Sequence, residues 1–299
     1  MQTKIYPAPA APSTKIDAAD IAARLGLHRS RPDEFRGRCP SCSYDNAAVL
    51  TVKAGKPLLW CSSCGDRAAL AAVLRAAAGG VLPSPAEPRA AASDAERRAA
   101  RIARARQIWD GAEAITADSP AGMYLERRMI QYLVGSAVLR WRLDTPHPSG
   151  GRRIALLAEI TGADGSFAGI QRIFLKQDGT KADVEPAKAS IGLIAGGAVR
   201  LQPCSDTLAV AEGVETSAAA GLLIGMPAWA AVSCGNLGKT MALPASVRSL
   251  TIAADHDAPG LRAAEDAALR WRDEGRAVRI IRASRPGADA ADILRGDAP

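Results

Sequence analysis

The sequence predicts a multidomain chain, α+β followed by α/β, with a small cysteine-paired ribbon at its head, a central mixed α+β region, and a C-terminal parallel sheet with flanking helices. Three observations carry this. Two CxxC pairs, Cys39/Cys42 and Cys61/Cys64, are separated by 18 residues that read as a hairpin. From Arg152 the apolar runs RIALLAEIT and FAGIQRIFLK are punctuated by GADGS and QDGT, the mark of a strand meander. From Asp206 apolar runs alternate with helical stretches, which argues for parallel strands covered by helices.

The chain has 299 residues, 48% of them hydrophobic, enough to bury two or three cores, and this composition excludes a disordered chain. A net charge of +7 suits a partner that carries phosphate. The N-terminal stretch lacks the basic-then-apolar order of a signal peptide. No window reaches the roughly 18 uninterrupted apolar residues of a membrane helix, so the expectation is a cytoplasmic protein with no membrane partner. In a reducing compartment, paired cysteines are metal ligands sooner than disulfides. Cys204 and Cys234 stand apart and read as ordinary small buried residues.

Taken in order, residues 1–15 read as a loose arm and 16–80 as the ribbon domain. Within the latter, IDAADIAARLGL has helical spacing with Asp17 as its cap, and DRAALAAVLRAAAGG is a second helix ending at paired glycines. Four thiolates at Cys39, Cys42, Cys61 and Cys64 would close the shell of a zinc ion, which is then structural. Arg36, Arg38, Lys53 and Lys56 on the ribbon are candidates for contacting the phosphates of a single strand, and a protein-docking role is the alternative.

Residues 81–93 are a Pro-rich linker, and 94–203 form the central basic region. It opens with a helix over 94–116 that offers Ile102, Ile108 and Trp109 to one face. Its basic side fits either a nucleic-acid backbone or plain solvent. A short helix, AGMYLERRMI, follows over 121–130, and then the meander.

In the last region, 204–299, acids stand at strand ends. Glu212 and Gly213 follow TLAVA, Asp255 and Asp257 follow SLTIAA, and Asp289 and Asp292 follow RAVRIIRAS. Parallel sheets place their sites at the carboxyl ends of strands, and carboxylates gathered there suit Mg²⁺ or Mn²⁺, hard ions that prefer oxygen. Gly213 would let the backbone approach a metal or phosphate closely. Glu215 is either a further ligand or an acid favourable to the helix N-terminus. His256, between two aspartates, points away from them if the segment is extended.

The order strand-Glu-Gly, strand-Asp-x-Asp, strand-x-Asp resembles the Toprim fold shared by bacterial primases, topoisomerases, certain nucleases and recombination mediators. The resemblance implies that Glu212 is a general acid or base and that Asp255 and Asp257 hold divalent metal. The ribbon text CPSC…CSSCGDRAALAAVL resembles the primase zinc-binding module, with Cys42 where replicative primases commonly carry His. YLERRMI and IQRIFLKQDGTKADVEPAKASIGLIAGGAVRL resemble the region before Toprim in primase-like proteins of phages and mobile elements.

Together these imply a DNA primase-like nucleotidyltransferase, which makes short RNA primers on a single-stranded DNA template from ribonucleoside triphosphates by two-metal catalysis. Arg172, Lys176, Lys181 and Lys188 are then candidates for gripping nucleotide or template. No GxxxxGK[ST] loop is present, so a helicase would be a separate chain. The alternatives are a Toprim metal-dependent nuclease and a non-enzymatic DNA-binding accessory of recombination or replication.

Overall fold

A computed structural model describes residues 17–43, 45–53, 56–61, 67–79 and 94–298. The arm, the linker, the hairpin tip and the ligand candidate Cys64 lie outside the described residues. The chain divides into two compact units, Met1–Ala91 and Ala92–Pro299.

In the first unit, Asp17 caps α1 (Ala18–Arg24), its side chain accepting from the Ala19 amide at 2.9 Å. Strands β1 (His28–Arg31), β2 (Glu34–Gly37), β3 (Ala48–Lys53) and β4 (Lys56–Cys61) pair antiparallel in that order. β3 and β4 are the expected hairpin, with Lys53 opposite Lys56. β1 and β2 were not foreseen, because His-Arg-Ser-Arg is exposed on both faces and shows no apolar alternation. α2 (Arg67–Ala77) buries Leu70 and Leu74 in a small core with Ile21, Phe35 and Leu50.

The second unit opens with α3 (Asp94–Asp110), shorter than its sequence pattern. Glu113 and Ala114 are taken instead into β5 (Glu113–Ala114), which pairs with the meander. α4 (Pro120–Arg127) starts with proline in its first turn behind Ser119, whose side chain accepts from the Gly122 amide at 3.1 Å. β6 (Leu139–Pro146), β7 (Arg152–Thr161), β8 (Phe167–Leu175) and β9 (Lys188–Gly192) complete an antiparallel sheet in the order β5-β6-β7-β8-β9. Ala105, Ile108 and Trp109 of α3 cover one face of it, packing on Leu157, Ile170 and Phe174.

After β10 (Val199–Arg200), the alternating part follows: β11 (Thr207–Ala211), α5 (Val214–Ile224), β12 (Ala228–Ala230), β13 (Ser249–Ala254), α6 (Ala258–Asp273), β14 (Ala277–Arg282) and α7 (Ala290–Arg295). The sheet order is β10-β12-β11-β13-β14, parallel except for β10, an antiparallel edge strand of two residues. The sequence run PAWAAVSCG yields only the three-residue β12, because Val232 turns to φ 73° and ends the strand.

Leu139, Leu156, Ile160 and Ile173 of the meander share one core with Val214, Ala218 and Ala230 of the alternating part. The central region and the C-terminal sheet are therefore one folded body. Among the described residues, no helix is long and apolar enough to cross a membrane.

Trp271 is fully buried where α6 lies on the C-terminal sheet, in the core formed with Leu250 and Ile252. Trp271→Ala should destabilise the second unit by about 3–5 kcal/mol, read as a lowered urea midpoint.

Candidate functional site

In the first unit, the thiols of Cys39, Cys42 and Cys61 lie within 4.8 Å of one another, with 3.8 Å between the Cys42 and Cys61 sulfurs. A tetrahedral zinc with bonds of about 2.3 Å spaces its sulfurs by about 3.8 Å, so the cluster is compatible with a structural zinc ribbon. Arg36 donates to Glu34 at 2.8 Å, and Arg38 donates to the Ser43 carbonyl at 2.9 Å. Lys56 is exposed, and the Lys53 side chain is outside the described residues. Strand alternation puts Lys56, Leu58 and Trp60 on one face of β4, and Trp60 is 45% exposed. Sequence reading passed over this tryptophan because it sits in an apolar run that suits a core.

In the second unit, β11 and β13 are neighbours, with Ala211 beside Ala253, so Glu212 and Asp255 leave adjacent strand ends. Asp289 joins them from the turn after β14, where it caps α7 and accepts from the Thr216 hydroxyl at 3.0 Å. These three acids and Gly213 line a cavity of about 380 Å³. Its other wall is the meander, which contributes Gln171, Lys188 and Ser190. Asp257 is exposed and caps α6, accepting from the Gly260 amide at 2.7 Å. Asp292 stands in the capping box of α7 and pairs with Arg295 at 2.5 Å, so it is engaged away from the cavity wall.

Asp255 carries the clearest electrostatic signature. Burial, then the charges of Glu212, Asp289 and Asp257, push its carboxyl up to about 7. Its Oδ1 is buried and has no hydrogen-bond partner. Crowded carboxylates with an orphaned hard oxygen fit a divalent cation, which would satisfy the oxygen and cancel the repulsion. Among the described residues only the three thiols close to within 4.8 Å as a trio, so the acids stand further apart.

Two contacts hold Glu212. Its backbone carbonyl accepts from the Val232 amide at 2.7 Å, and its Oε2 accepts from the Cys234 thiol at 2.6 Å. Burial and the nearby acids push that thiol well up, so it stays protonated and remains a donor. Cys234 was expected to be a bland buried residue. Its partner lies 22 positions away in the chain, across two strand ends, where sequence carries no signal.

Glu215 is 4% exposed and does not face the cavity. Its Oε1 accepts from the Tyr124 hydroxyl at 2.5 Å and lies 3.2 Å from the Lys181 ammonium, while Oε2 lies 3.0 Å from the Lys188 ammonium. Burial works to raise this carboxyl, but Lys188, Lys181 and Tyr124 outweigh it and hold it well below the usual carboxylate range. Of the basic candidates in the meander, Lys188 alone lines the cavity.

Arg172 falls on the opposite face of β8 from Gln171, and its guanidinium donates to the carbonyls of Pro146 at 2.6 Å and Ala189 at 3.3 Å. Lys176 pairs with Asp183 at 2.6 Å in solvent. A Cβ placed on Gly213 would meet only ordinary contacts, the nearest being Thr216 Oγ1 at 3.5 Å, and its φ is −87°. Nothing in the fold itself demands glycine there.

A family model for the Toprim domain matches residues 207–298. A second model, a domain of unknown function (DUF7146), matches residues 99–201. Among curated proteins none matches the chain. Among solved structures the chain is similar to the zinc-binding and RNA polymerase domains of the Aquifex aeolicus primase, at 13% identity and a TM-score of 0.46, covering 93% of this chain and 80% of that one. It is similar to the primase fragment of the bacteriophage T7 primase-helicase at 11% identity and 0.40, covering 87% and 94%. It is also similar to a DnaG primase catalytic domain bound to single-stranded DNA at 14% identity and 0.44, covering 68% and 76%.

Because the folded state raises Asp255 from its ordinary 3.8 to about 7, it takes up a proton that the unfolded chain releases. In the absence of divalent cations, this contribution to stability is complete below about pH 4 and is lost as pH rises through about 7. Melting temperature followed from pH 4 to pH 8 in chelator should fall over that window, and Asp255→Asn should flatten the fall.

Proposed function

With a Toprim domain as the premise, we propose that the chain is a primase-like nucleotidyltransferase that makes short RNA primers on single-stranded DNA. The observation that carries this reading is the two-walled cavity, in which Glu212, Asp255 and Asp289 face Lys188. One wall suits divalent cations and the other suits phosphate, the pairing that a metal-bound nucleoside triphosphate requires.

Glu212, Asp255 and Asp257 would hold Mg²⁺ or Mn²⁺, which when bound stabilises the attacking and leaving oxygens of an in-line displacement. Lys188 would bind the phosphates of the incoming ribonucleotide. Glu212, held in place by Cys234, is the candidate base for the attacking 3′ hydroxyl. Gly213 leaves room for a phosphate to approach the backbone beside it.

In the first unit, Cys39, Cys42, Cys61 and Cys64 would hold structural zinc as thiolates, in keeping with a reducing cytoplasm. The exposed face of β4 would meet template bases through Trp60 and phosphates through Lys56. A separate helicase would supply unwinding.

Primer synthesis on single-stranded DNA with labelled ribonucleotides tests the catalytic reading. Asp255→Ala should lower it by about 10²–10³-fold. Gly213→Ala should melt as the wild type does yet lose primer synthesis, since its Cβ meets room in the protein and none beside a bound phosphate. Cut strands in place of primers would convert the assignment to a Toprim nuclease, and neither product would leave a DNA-binding accessory protein. For the ribbon, metal analysis of Cys39→Ser should show loss of zinc, with the second unit's unfolding transition unchanged.

A further inference from the structure

Gln171 and Ser190 are cross-strand partners on β8 and β9, and both line the cavity beside Lys188. Gln171 is 5% exposed. Its Nε2 donates to the Val232 carbonyl at a long 3.5 Å. That carbonyl can only accept, which settles the orientation of the amide and leaves Oε1 as the free end. Oε1 is buried and has no hydrogen-bond partner. Leaving such an oxygen unpaired is costly, and packing gives no reason for an amide there, since leucine fills nearly the same volume. A donor carried by a molecule in the cavity would supply the missing bond.

The lining narrows what that donor is. The acids and Lys188 account for cations and phosphates. Among the described residues no aromatic ring lines the cavity, so a base would find no stacking surface on them. What remains of a nucleotide is its sugar, whose hydroxyls are donors, and the Ser190 hydroxyl can give or accept a second bond to the same group.

We propose that Gln171 and Ser190 form a sugar-hydroxyl subsite, through which the cavity prefers ribonucleotides to analogues lacking a hydroxyl. The subsite rests on the nucleotide reading above. Calorimetric titration of the full chain with ATP, 2′-deoxyATP and 3′-deoxyATP in Mg²⁺ tests it. The wild type should bind ATP about tenfold more tightly than one of the deoxy analogues. Gln171→Leu should remove the difference by weakening ATP, and it should melt no lower than the wild type because it deletes a buried, unpaired oxygen at the loss of only one long hydrogen bond. Ser190→Ala, at a half-buried position, should narrow the difference on its own.

Equal affinity of the wild type for all three nucleotides, or a preference that survives both substitutions, overturns the subsite and leaves the nucleotide reading standing. Absence of nucleotide binding in the wild type, or binding indifferent to Asp255→Ala, overturns that reading and the subsite with it.

Discussion

A carboxylate cut off from water stays ionised only if positive charge is brought to it, and Glu215 is such a group. It lies in the first turn of α5, three residues after Glu212, and its partners come from α4 and from the two ends of the segment leading into β9. One buried charge thereby fixes where the meander stands against the Glu-Gly turn, and with it the width of the cavity. Removing Glu215 leaves Lys181 and Lys188 side by side without their counter-charge, which is far more disruptive than losing a surface ion pair.

The same carboxylate shapes the chemistry. Two lysines share it, so the group keeps a surplus positive charge, and Lys188 presents that charge across from Glu212, Asp255 and Asp289. Burial, and after it the charges of Glu212, Asp289 and Asp257, keep a proton on Asp255 near neutrality. The acidic wall of the cavity is electrostatically strained and the Lys188 wall relaxed. A ligand carrying both cation and anion relieves the first without disturbing the second.

What was legible in the sequence was what short-range pattern encodes. Apolar runs ending in Glu212 and Asp255 marked parallel strand ends, and paired cysteines marked the ribbon, since each signal needs only a few adjacent residues. Which side of a strand meets another layer was not legible. Alternation says that Gln171 and Arg172 face opposite ways, and only the packing of α3 decides that Arg172 turns to carbonyls while Gln171 turns to the cavity. The Tyr124–Glu215 contact spans 91 positions, and the β10 edge is two residues long, so neither leaves a periodic trace. Asp292 looked like Asp289 on paper. Both belong to the α7 capping box, and Arg295 holds the Asp292 carboxylate while Asp289 turns its Oδ2 to Thr216 at the cavity.

The core that joins the meander to α5 and β12 decides what the C-terminal sheet could be by itself. A C-terminal sheet copied alone into another chain would arrive with Val214, Ala218 and Ala230 facing water and Glu215 without its cations. In this chain the body from α3 to α7 therefore stands or falls as one piece, although the Toprim model covers only its last part. The ribbon carries a core of its own and owes nothing to that arrangement.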